Sequence, residues 1–182
     1  MSRYDLAIEK ARVLRRPSEE PIRLLALLVV DPTTDAKLYA KRLREVVSSA
    51  VGISQTTDFE RDDVATSALP EWFVAVSGGT GMTDVRDVTS LSGKDCYLEE
   101  RGGEPWDVEE WVYCFDPDLR RWSWWDVTER PDGRVCVWVD TKGEAHIPCE
   151  ELWWLVFVAG ARSVEPLMLE DAGVWAEQGS IQ

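Results

Sequence analysis

Arg121-Trp122-Ser123-Trp124-Trp125-Asp126-Val127-Thr128-Glu129-Arg130-Pro131-Asp132-Gly133-Arg134-Val135-Cys136-Val137-Trp138-Val139 carries the strongest structural signal in the chain. Two apolar runs of period two flank a Pro-Asp-Gly turn, the pattern of a β-hairpin. Alternation sets Trp122 and Trp124 on one face of their strand and Trp125 on the other. Upstream, the odd positions of Trp111-Val112-Tyr113-Cys114-Phe115 carry aromatics, and Asp116-Pro117-Asp118 follows as a turn, so this stretch reads as a further strand. Downstream, Lys142-Gly143 is compatible with a tight hairpin, with Ala145–Ile147 as a short fourth strand. Runs joined by such short turns pair as neighbours, which predicts an antiparallel meander after residue 84.

Outward from this stretch the pattern becomes helical. Residues 3–16 place Tyr4, Ile8 and Ala11 at helical spacing, with Ser2 and Asp5 resembling a capping box and Pro17 as a stop. Ile22 to Val30 is almost wholly apolar. It suits a buried strand, but its two Leu-Leu pairs, Ala26 and the Ser18-Glu19-Glu20-Pro21 start favour a helix. Residues 34–50 form an amphipathic helix with Gly52 just past its end. Residues 54–66 read as a loop, and a short helix follows through Val76. The Ser77–Gly81 cluster reads as its C-terminal cap, since no Lys stands at Walker spacing. Leu152–Ala159 is a central strand or a buried helix, and its start and stop signals favour the helix. Val164 to Leu169 adds one more strand. The predicted fold is therefore α+β in one domain over 1–182. A mainly helical part, 1–80, packs on a Trp-rich antiparallel sheet of four or five strands, 84–170, with a late helix near 149–160.

Acids number 34 and bases 20, a net charge of −14. Residues 1–50 hold ten bases and seven acids, so the whole excess lies beyond them. Such a surface repels nucleic-acid phosphates and anionic lipid and attracts basic proteins. No run approaches eighteen apolar residues, which predicts no membrane span, and the start of the sequence lacks the pattern of a signal peptide. Cys96, Cys114, Cys136 and Cys149 are spaced by 18, 22 and 13, which matches no zinc site. They read as reduced thiols in a cytoplasmic protein.

Eight of the ten tryptophans fall between Trp106 and Trp154. Both faces of the Trp122–Trp125 strand can be buried only if each is covered, the first by the N-terminal helices and the second in part by the late helix. Beside this cluster lies Glu99-Glu100-Arg101-Gly102-Gly103-Glu104-Pro105-Trp106-Asp107-Val108-Glu109-Glu110, with five Glu and one Asp against a single base. It reads as an exposed loop leading into a strand. Glu99, Glu100, Glu104, Trp106, Asp107, Glu109, Glu110 and Trp111 are the candidate contacts for a basic partner.

Catalytic and metal-binding patterns are weak. The single histidine, His146, stands three residues from Cys149, and any His-dependent nucleophile must use it. Asp116 with Asp118, Asp62 with Asp63 and Glu150 with Glu151 offer oxygens but fit no calcium loop. Asp126 and Asp140 on Trp-rich strands permit a two-carboxylate site without supporting it. No catalytic residue, metal or cofactor is assigned. The small size, acidity, aromatic content and absence of catalytic motifs resemble the profile of small acidic immunity proteins that neutralise bacterial toxins. That resemblance covers no motif and carries no residue over. It implies a non-enzymatic protein-binding module, an inhibitor of a basic toxin or nuclease. The alternatives are a small enzyme or ligand-binding protein with a Trp-lined acidic pocket, and a structural subunit whose apolar helix pairs in a homodimer.

Overall fold

The apolar run after Arg23 forms a strand, β1 (Leu24–Pro32). Ala26, Leu28 and Val30 pack into the main core on one face, while Leu25, Leu27 and Val29 pack into a second, smaller core on the other. A strand buried on both faces has no polar alternation, and this is why Ile22–Val30, expected as a helix, shows no period of two. The computed structural model describes residues 4–20, 22–78 and 86–182. Ser2 and positions 79–81 of the glycine cluster lie outside them.

The elements in chain order are α1 (Leu6–Leu14), β1, α2 (Ala36–Thr56), a 3-10 turn (Thr66–Ala68), α3 (Glu71–Val76), α4 (Val88–Arg101), α5 (Val108–Tyr113), β2 (Ser123–Glu129), β3 (Val135–Asp140), α6 (Glu150–Val158), β4 (Ala161–Val164), β5 (Met168–Asp171) and α7 (Ala172–Ala176). The fold is α+β, with one antiparallel sheet and a late helix, α6.

The meander holds only for the β2–β3 hairpin. The spatial order is β2-β3-β1-β4, and β5 also pairs with β1, so the N-terminal strand sits inside the sheet. β4 pairs with the end of β1 and β5 with its beginning. The amide of Glu165 still donates to the carbonyl of Val29, at 2.8 Å. The single strand expected over Val164–Leu169 is thus an edge strand interrupted near Pro166, as suits a residue that cannot donate to a ladder. Ala145–Ile147 lies in the loop before α6 and forms no strand.

Trp111–Phe115 also differs from expectation. Asp107 accepts from the amides of Glu109 and Glu110 and starts α5 there. Trp111 and Phe115 are four residues apart, with ring centroids at 4.8 Å, so they share a helix face as readily as a strand face. α4 stands where period two was expected, and α2 runs through Gly52 to Thr56. α3 ends at Val76, and Gly78 supplies the positive φ of 67° just beyond it.

The helices α2, α3, α5 and α6 bury their apolar faces in the main core with Trp122 and Trp124 of the β2 region. The second face of the sheet is covered by Ala172 and Trp175 of α7, which pack with Trp125 and Trp138. Helix α6 does not cover that face. The guanidinium groups of Arg12 and Arg16 stack over Trp125 and Trp175 at 4.1 and 4.3 Å. Eight tryptophans are buried, and Trp72 and Trp106 are half-buried. The cluster is core.

Candidate functional site

The acidic stretch 99–110 spans three structural settings. Glu99 and Glu100 are exposed in the last turn of α4. Gly102 and Gly103, at φ 71° and 84°, turn the chain into a loop that exposes Glu104. Glu109 and Glu110 are exposed in the first turn of α5, where the helix dipole favours acids. The expected loop-to-strand passage is thus a helix end, a loop and a helix start.

The other three expected contacts have structural duties. Asp107 is the α5 cap. Trp106 is half-buried, its indole N–H donating to the Tyr97 hydroxyl at 3.3 Å. Trp111 is fully buried against Phe73, ring centroids 4.5 Å apart, and donates to the carbonyl of Glu151 at 2.9 Å. No partner can reach Trp111 in this fold.

The structure adds a residue that sequence reasoning did not single out. Tyr113, at the end of α5, is 42 % exposed and lies edge-on to Phe59 at 5.9 Å. Phe59 belongs to the turn of Asp58, Glu60, Arg61, Asp62 and Asp63, in which the Asp58 amide donates to Asp62 at 3.0 Å. The aromatic contact therefore sets a second acidic segment beside α5. Residues 58–63 and 99–118 together hold twelve acids and two bases. Both bases are engaged, Arg61 with Asp58 at 3.7 Å and Arg101 with Glu150. The signal that could have found Tyr113 is the α5 cap: once residues 108–113 are helical, Tyr113 leaves the face shared by Trp111 and Phe115.

The groups expected to carry catalysis, if any did, have other roles. His146 is exposed in the β3–α6 loop, and Cys149 is buried. All four cysteines are free. Burial, with Glu151 nearby, pushes the thiols of Cys114 and Cys149 up to about 12, so both are protonated at neutral pH and poor nucleophiles. Asp126 is fully buried, accepts from the Trp175 indole at 2.9 Å and lies 3.7 Å from Arg16. Asp140 is buried and pairs with Lys142 at 2.8 Å. Among the described residues no three His, Cys, Asp or Glu are grouped to hold a metal ion. No helix among them is long and apolar enough to cross a membrane.

Glu151 is the most perturbed carboxyl of this region. Burial raises its pKa above the ordinary carboxylate value, and the 2.7 Å hydrogen bond from the Trp122 indole opposes the shift. It lines a cavity of about 280 Å³ with Tyr113, Cys114 and Arg120. A carboxyl whose folded pKa lies above its unfolded one binds more protons in the folded state. Stability is therefore lost as pH rises from about 4.5 through the folded pKa. Glu151→Gln removes that loss and keeps an acceptor for Trp122. In urea unfolding from acid to neutral pH, the variant is expected to gain on the parent as pH rises, and then to level off. A parent that gains on the variant over that range would show that Arg120 and Trp122 outweigh the burial.

Comparison with known proteins finds no matching family model, no matching curated protein and no matching solved structure.

Proposed function

We propose that this chain is a non-catalytic module that binds a basic protein through the face centred on Tyr113. The supporting observation is the half-exposed Tyr113, seated on Phe59 where two acidic segments meet. An aromatic anchor ringed by like charge has the composition of a binding hot spot: the ring supplies apolar contact and the charges supply attraction and selectivity. Glu109 and Glu110 are exposed on the same helix as the anchor, and Glu99, Glu100 and Glu104 are exposed on the segment that leads into it. The profile shared with small acidic immunity proteins makes a basic toxin or nuclease the class of partner, met in the cytoplasm. The Trp-lined pocket of the alternative reading gains no support, because the cavities of about 790, 280 and 210 Å³ have no tryptophan in their walls.

The test is capture from the host's own extract, using the whole chain beside a variant with Glu99, Glu100, Glu109 and Glu110 changed to Lys. Association kinetics of the captured protein follow. The expected partner is basic and is retained by the parent chain alone. Its association slows about tenfold or more between about 50 and 500 mM salt, as the Debye length shrinks from about 14 to 4 Å. Tyr113→Ala raises the dissociation rate and leaves association nearly unchanged. An on-rate insensitive to salt and to the four reversals overturns the reading.

A further inference from the structure

A second concave feature, among the described residues, shares no lining residue with the acidic face. It is an open groove of about 790 Å³ between the end of α1, the outer face of α2 and the 3-10 turn before Pro70. Val13, Leu14, Leu38, Leu69 and Pro70 give it an apolar floor and rim. Leu14 and Leu38 are 70 % and 43 % exposed, which has a hydration cost in a surface with no partner. Lys37, Lys41 and Arg44 stand along one wall. Their spacing of four and three residues puts them on a single helix stripe. In a chain of net charge −14, three cations in one apolar groove are a local reversal of sign.

Acids near these cations offset them only in part. Glu45 lines the same groove and lies 3.7 Å from Lys41, with both side chains largely in solvent. Asp126 is 3.9 Å from Arg44, but Arg16 shares that carboxylate. The buried Nε and Nη2 of Arg44 have no hydrogen-bond acceptor. Both atoms are buried and Nη2 faces Asp126, so a partner's carboxylate meets Arg44 only through the part of its side chain that lines the groove.

We propose that this groove docks an acidic amphipathic helix of a partner protein, with its carboxylates along Lys37, Lys41 and Arg44 and its apolar stripe on Leu14, Leu38 and Leu69. Three features select that occupant. The cations are strung over about 10 Å of helix, at 1.5 Å per residue, so they match several anions in a row better than one headgroup. The apolar floor disfavours a polyphosphate or nucleic acid, which has no surface to bury there. The lining from Lys37 to Ser49 runs about 18 Å along α2, the length of three turns of a docked helix. This surface is separate from the acidic face and does not depend on the function proposed for it.

The experiment uses the full chain and a display library of helix-forming peptides of about 16 residues, varied among Glu, Lys, Leu and Ser. Enriched sequences are expected to carry Glu at spacings of three and four beside a Leu stripe. A selected peptide, measured by fluorescence anisotropy, is expected to bind about tenfold or more weakly to the Lys37→Glu/Lys41→Glu variant and to Leu38→Asn. All these positions are exposed, so folding should be kept. Charge reversal of the acidic face at Glu99, Glu100, Glu109 and Glu110 leaves this binding intact, which separates the two surfaces. No enrichment, or enrichment of Lys-rich peptides whose binding is lost with the acidic-face variant, overturns the proposal. Equal or tighter displacement of the peptide by laurate also overturns it, in favour of a single-headed anionic lipid.

Discussion

Gly93→Ala is expected to lower the unfolding free energy by about 3 kcal/mol or more, although alanine is the better helix former. Gly93 is where α4 crosses α6. A Cβ there would lie 2.0 Å from the carbonyl oxygen of Phe157, 2.7 Å from its carbon and 2.9 Å from the Cα of Val158. All three are backbone atoms, so no rotamer change relieves the clash. Helix α6 cannot retreat freely either. The Tyr39 hydroxyl donates to the carbonyl of Val156 at 2.7 Å, and the Trp154 indole donates to Ser77 at 3.0 Å. The two helices must part, which loosens Tyr97 from Trp154 and Phe157, its ring neighbours at 5.1 and 5.9 Å. Gly52 in α2 is the control, because its added Cβ meets only Lys10 Nζ, at 3.7 Å. Gly52→Ala is expected to be neutral or to stabilise by up to about 1 kcal/mol. Urea unfolding of both variants checks the pair. A neutral or stabilising Gly93→Ala would mean that the helices do not cross this closely.

The same glycine helps explain why α4 was invisible in the sequence. A Gly in mid-helix, with Val88 and Leu91 exposed, breaks the apolar stripe that identifies an amphipathic helix. What was legible was local. The alternation that separates Trp124 from Trp125 is kept, the two lying in different cores, and the turn at Pro131-Asp132-Gly133 joins β2 to β3. What was not legible depended on partners distant in sequence. β1 reads as a helix or a strand until β3 and the β4–β5 edge are known to flank it, because a strand buried on both faces has no polar alternation. Trp111 and Phe115 satisfy both periods, so the α5 cap at Asp107 had to decide. The acidic stretch was found as charge alone. Asp107 and Trp111 proved to be a cap and a core residue, while Tyr113 and the 58–63 turn became part of the face only through the fold.

Arg120→Met is expected to cost about 3–5 kcal/mol. Glu9 of α1 and Arg120 are both almost completely buried and form a forked pair, with Nη2 to Oε1 at 2.7 Å. The same Oε1 accepts the Trp124 amide of β2 at 2.7 Å. The guanidinium also lies 4.7 Å from the Phe115 ring and 5.2 Å from that of Trp122. Losing the arginine leaves a carboxylate buried without its counter-charge, and that penalty, more than the lost attraction, sets the size of the effect. The double variant Glu9→Gln/Arg120→Met removes both charges. Its amide oxygen still accepts from Trp124, so it is expected to recover to within about 1–2 kcal/mol of the parent. The pair also covers part of the sheet edge: β2 is an edge strand, α1 lies against it through Glu9, and Ser180 bridges to Thr128 farther along. The single variant should therefore lose amide-exchange protection at Trp124 first and aggregate more readily through the opened edge. Urea unfolding and exchange of the single and double variants test this together. Equal losses in both would show that the two charges are not coupled, and that α1 is held to the sheet by its apolar contacts instead.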